Sequence, residues 1–204
     1  MYLNALILSL CIITLIIYTF TKNYDSLKGT LIFLFASLAL LIKIIFLKEV
    51  TFKVFVPETL LISGLINLAF SIFGFLLILA LRIKNRKFKL GFFFKLFILY
   101  LPFALLQQLF FQYIFLDTLS SFFTSKFLVL TVGVLFFSSA HLPTETARIT
   151  FFSFIAGIVW MWTYMSYGNI LWPILSHAIL APLYYCFVHP SNRLLVRLKF
   201  LRSS

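Results

Sequence analysis

The sequence predicts an all-α fold, a polytopic bundle of about seven transmembrane helices, and three observations carry that prediction. Of the 204 residues, 63% are hydrophobic and only 11% charged, against typical shares of about 45–50% and about 25% in soluble domains. Mean hydropathy is +1.10. The apolar residues, 28 phenylalanines among them, gather in runs near the ~20 residues that span ~30 Å of hydrocarbon. The strict alternation of a transmembrane barrel strand is missing, and lone strands cannot satisfy their backbone in lipid.

Taken in order, the first run extends from Tyr2 to Thr21. It has no basic segment before it and no small-residue cleavage site after it, so it reads as a retained span and not as a removable signal peptide. Further spans are expected over Gly29 to Leu47, Thr59 to Leu81, Phe92 to Leu119, Phe127 to His141, Thr146 to Tyr167 and Ile170 to Val188. The fifth is short, which implies a tilt or an earlier start near Ser121. No internal repeat stands out. The chain divides into a three-span N-terminal region with a basic loop (1–90), a four-span core (91–188) and a basic tail (189–204).

Charge orients the bundle. The formal net charge is +12, with 17 Lys and Arg against 5 Asp and Glu. In a soluble chain this would suggest nucleic acid, but here the basic residues flank apolar spans, which sets topology and favours anionic headgroups, so membrane lipids and no nucleic acid are the expected partners. With the N-terminus outside, twelve basic residues fall on internal segments and Lys48, Lys53 and Lys126 on external ones. That bias places the C-terminus in the cytoplasm. Lys43 and Lys95 lie within spans and are able to snorkel. The cluster Arg82 to Lys89 reads as a topology anchor, and the tail from Ser191 to Ser204 as a short amphipathic helix on the inner leaflet. A compact chain without targeting segments suits a bacterial cytoplasmic membrane.

Polar side chains inside lipid are costly and mark where chemistry is sought. The fourth span carries Gln107, Gln108 and Gln112, the fifth Ser138, Ser139 and His141, and the seventh Ser176 and His177. Gln108 and Gln112 are one helical turn apart with Gln107 adjacent, so the amides are expected to meet each other or polar groups of neighbouring helices. As packing glue, such bonds contribute only ~1 kcal/mol each. Two histidines from separate helices could converge with this stripe. Neither Cys11 nor Cys186 indicates a disulfide or a thiolate metal site. No metal or cofactor is expected: a catalytic zinc takes three protein ligands, and nothing beyond the histidine pair supports a haem. Glu145 reads as an acid in the first turn of the sixth helix, near Thr144 and Arg148. Ser138 stands three residues before His141 but lacks an orienting carboxylate, which argues against a serine hydrolase.

From about Leu99 to Cys186 these residues resemble the CPBP (Abi) family of intramembrane endopeptidases, which includes the type 2 CAAX prenyl proteases. Gln107-Gln108-Leu109-Phe110-Phe111-Gln112 stands where the family has Glu-Glu-x-x-x-Arg. Phe137 to His141 meets Phe-x-x-x-His and continues into Leu142-Pro143. His177-Ala178-Ile179-Leu180-Ala181 supplies the histidine of His-x-x-x-Asn, after the typical lead-in Gly168-Asn169-Ile170-Leu171-Trp172-Pro173. The resemblance implies hydrolysis of a hydrophobic or lipid-modified membrane peptide by an activated water, at a site formed by Gln107, Gln108, Gln112, His141 and His177. The chain departs from the pattern at decisive points. An amide at Gln107 cannot take up a proton as a carboxylate base does. Ala181 offers no oxyanion donor, a loss of roughly 3–4 kcal/mol where such a donor is used. Replacing an acid and an arginine by Gln108 and Gln112 is charge-balanced and avoids a stranded buried charge. Two functions follow: a CPBP-type peptidase in which the histidines position water, or a non-catalytic relative that binds a membrane peptide, lipid or partner protein in the same cavity. A channel or transporter finds no support, since no selectivity ring or paired broken helices are present.

Overall fold

A computed structural model describes residues 2–20, 26–46, 57–81, 90–142 and 147–188. Within them all regular structure is helical, with no strand, and seven rods follow the order of the apolar runs. They are α1 (Tyr2–Phe20), α2 (Ser26–Ile45), α3 (Pro57–Ala80), α4 (Leu90–Ser120), α5 (Lys126–Ser139), α6 (Ala147–Tyr167) and α7 (Leu171–Phe187). The Arg82 to Lys89 cluster, Glu145 and the basic tail lie outside the described residues.

Four rods, α1, α3, α4 and α6, are long and apolar enough to cross a membrane. The protein is an integral membrane protein by that measure. Their outward faces are greasy: Leu61, Leu65, Leu68, Ile72 and Leu76 on α3 are exposed, as lipid contact demands. At 14 residues, α5 is shorter, reaching about 21 Å at 1.5 Å per residue. It does not begin near Ser121. Phe123 to Ser125 carry no regular structure, and Ser125 caps the helix by accepting from Leu128 N at 3.3 Å, satisfying one of the first-turn donors.

The longest rod is not uniform. α4 winds as an α-helix to Gln108, as a π-helix over Leu109–Leu116, and as an α-helix again over Asp117–Ser120. In the π-segment each N–H reaches five residues back instead of four, which alters the angular spacing of successive side chains. That segment is the hub of the bundle. The α1–α2 hairpin packs on it from one side, while α5 and α6 pack on it from another. α7 lies between α3 and α4.

Glycine allows close side-chain approach at the α3 and α5 crossings. A Cβ on Gly133 would stand 2.5 Å from Leu116 Cδ1, and one on Gly64 would stand 2.7 Å from the Trp172 ring. The turn between α6 and α7 is set by Gly168, whose φ of 63° is left-handed and costs little only without a Cβ. Its N–H closes α6 on Tyr164 O at 2.8 Å.

Candidate functional site

His177 sits halfway along α7 and is 4% exposed. A ring so deep needs both nitrogens satisfied. Gln108 Nε2 approaches Nδ1 at 3.0 Å, and Tyr100 Oη approaches Nε2 at 3.1 Å. With the carboxamide N–H donating to Nδ1, the ring proton resides on Nε2 and is donated to the tyrosine oxygen. The imidazole is then uncharged with both nitrogens committed. Its faces are enclosed as well: the Trp160 ring lies 4.6 Å away at 32°, with Phe137 and Tyr100 edge-on at 6.1 and 5.5 Å. Aromatic contacts of this kind are each worth about 0.5–1.5 kcal/mol beyond area burial.

Beside this ring is a cavity of about 140 Å³ bounded by α3, α4, α5, α6 and α7. His141, from the end of α5, also lines it, as do Ala181, Tyr184 and Ser153. The remaining wall is chiefly Phe, Leu, Ile and Trp. None of the described lining residues carries a carboxylate. His141 Nδ1 lies 3.2 Å from Phe137 O, one turn back on its own helix, which orients the ring.

The structure therefore brings together part of the expected set. Both imidazoles and Ala181 border one space, and Gln108 reaches His177 from the neighbouring rod. Gln107 and Gln112 do not line the cavity. The amide stripe does not form. Gln112 is fully buried, yet neither its Oε1 nor its Nε2 has a hydrogen-bond partner among the described residues, and Gln107 Oε1 has none either. The expected pairing rested on α-helical spacing, and the π-segment begins between Gln108 and Gln112. Ser138 Oγ bonds Leu135 O at 3.2 Å, its own helix backbone, so it is not paired with His141. No group of three or more metal-binding side chains exists among the described residues.

Sequence reasoning missed Tyr100 and Trp160. Both sit in apolar runs where an aromatic residue is unremarkable. The one legible signal was that Tyr100 lies two turns before the glutamines.

Lys43 is the clearest correction. It does not snorkel: it is 1% exposed, its ammonium bonding Tyr113 O and lying 3.3 Å from Asp117 Oδ2 and 4.3 Å from the Tyr113 ring centre. Tyr164 donates to the same carboxylate at 2.8 Å. A buried ammonium without such partners would be prohibitively costly in lipid.

Residues 89–181 match the family described as Rce1-like, type II CAAX prenyl endopeptidase Rce1-like. The match covers nearly half of the chain. The matched stretch takes in α4, α5, α6 and α7 as far as Ala181, and thus every residue that the sequence put forward for the site. No curated protein and no solved structure matches the chain. The Rce1-like match and the apolar helices together support a membrane protein that resembles CAAX proteases.

Proposed function

We propose that this protein holds a hydrophobic or lipid-modified peptide of the membrane in the cavity beside His177, and that it has given up the glutamate-dependent hydrolysis of the peptidases it resembles. One observation carries the reading: among the described residues, the cavity is bordered by two imidazoles and aromatic rings and by no carboxylate. General-base catalysis needs a group within hydrogen-bond reach that can accept a proton near neutral pH. Both nitrogens of His177 are already occupied. What remains is a pocket whose walls suit an apolar chain and whose few polar groups suit a peptide bond. A second reading, hydrolysis with water positioned by His141 and His177, is favoured by the two rings facing the same space. The protein is proposed to lie in a bacterial cytoplasmic membrane, and the distribution of basic residues supports an N-terminus outside.

The deciding experiment uses purified protein in detergent with a panel of lipidated and hydrophobic peptides. Binding is followed by fluorescence anisotropy and cleavage by mass spectrometry, for wild type, Gln107→Glu and His177→Ala. Capture without cleavage by the wild type is the expected result. Cleavage by the wild type that His177→Ala abolishes would transfer the assignment to the peptidase. Ala181→Leu places an isobutyl group in the cavity, so it should abolish capture while the thermal midpoint stays level or rises, because filling an apolar void adds dispersion contacts.

A further inference from the structure

A second polar feature lies outside the cavity, along α3. Ser63, Asn67 and Ser71 recur every fourth residue and so share one face, which is turned inward: Ser63 is 0% and Asn67 1% exposed. Opposite it stand α6, the α6–α7 turn and the start of α7. The facing levels can be followed bond by bond. Thr59 Oγ1 donates to Tyr167 O at 2.7 Å, and Trp172 Nε1 donates to Leu60 O at 2.8 Å. One level deeper, Asn67 Nδ2 is 2.9 Å from Ser63 O and 3.4 Å from Thr163 Oγ1. Deeper again, Ser71 Oγ is 2.7 Å from Asn67 O and 2.9 Å from Ser176 Oγ, to which Trp160 Nε1 donates at 3.0 Å.

The upper part of this seam is under-satisfied. Ser63 Oγ, Asn67 Oδ1 and Asn169 Nδ2 are buried and have no partner among the described residues. Asn169 is 0% exposed; its other amide atom caps α7 by accepting from Leu171 N at 3.0 Å. An unpaired buried polar atom costs about 1–3 kcal/mol, so three within a few turns at one junction would be a heavy load. Water is the smallest molecule that both donates and accepts, and buried water typically bonds about three otherwise unsatisfied groups. A hydroxyl, a carbonyl oxygen and an amide N–H offer it that mixture.

We propose that the junction of α3 with α6 and α7 is an internal water site, in which water bonds Ser63, Asn67 and Asn169, and from which direct hydrogen bonds run through Ser71 to Ser176, the residue next to His177. The site stands apart from the peptide-binding reading, since its members do not line the cavity, and direct hydrogen bonds from Ser71 to Ser176 and from Trp160 to Ser176 link it to the edge of that cavity.

Hydroxyl-radical footprinting by X-ray pulses tests this on full-length protein in detergent, without any peptide. Radicals born from internal water oxidise the side chains beside it. Trp160 and Met161 form an internal comparison: both are buried and intrinsically reactive, but Trp160 touches the seam whereas Met161 faces Gly133. Trp160 is expected to oxidise several-fold faster than Met161, with Asn67→Leu and the milder Ser63→Ala each slowing Trp160 alone. Equal rates at the two residues in the wild type, or a Trp160 rate unmoved by Ser63→Ala, would overturn the proposal. Because Trp160 also borders the cavity, the Ser63→Ala comparison decides, even if Asn67→Leu does not fold.

Discussion

Gln108 determines which nitrogen of His177 carries the proton. As an amide donor to Nδ1 it fixes the proton on Nε2. A carboxylate at that position would accept from Nδ1–H and turn Nε2 into a basic lone pair, the arrangement that activates a histidine. One atom exchange thus separates a spent ring from a usable one. Gln108→Glu should move the proton to Nδ1, read as exchanged ring nitrogen shifts in the ¹⁵N spectrum of histidine-labelled protein; unchanged shifts would contradict the assigned tautomer. Tyr100→Phe removes the other bond to the ring and should lower unfolding stability by about 1 kcal/mol.

At the scale of elements, the π-segment is tied down from outside. Its Tyr113 carbonyl accepts from Lys43 of α2, and Asp117 just beyond it meets both Lys43 and Tyr164 of α6. The two partners of the ion pair are unequal, with side-chain exposures of 2% for Lys43 and 37% for Asp117. Removing the carboxylate therefore takes this counter-ion from the deeper charge, which keeps the Tyr113 carbonyl. Asp117→Asn should cost about 3 kcal/mol, the lower end for breaking a buried pair. Lys43→Met leaves a carboxylate with partial access to polar surroundings and should cost about 1 kcal/mol. Reversible unfolding in mixed micelles measures both, and a larger loss for Lys43→Met would refute the asymmetry.

For the whole molecule, the proposed topology, with the N-terminus outside, puts the α4–α5 connection outside the cell. Lys126→Cys should accordingly react with a membrane-impermeant maleimide on intact cells, and protection there would invert the topology. Much of the architecture was legible because lipid imposes a length on every apolar run: the seven rods begin and end within a few residues of the expected bounds. The histidines were legible too, since an imidazole in such a run has few bland explanations. Gln112 and Lys43 were not, for one reason. Their surroundings depend on how α4 departs from α-helical winding and on which rod packs against it, and neither is encoded in the periodicity of a uniformly apolar segment. Ser63, Asn67 and Ser71 looked like ordinary small polar residues until three helices were set around them.

The π-winding of α4 has one more consequence. Such a bulge is how a helix absorbs a surplus residue without disturbing the turns on either side. The rod can then keep two distant engagements at once, Gln108 with His177 and Asp117 with Lys43. A chain shortened by one residue between Leu109 and Leu116 should still assemble with both intact. The same excision in the middle of α6 would rotate everything beyond it by about 100° and tear Tyr164 from its carboxylate.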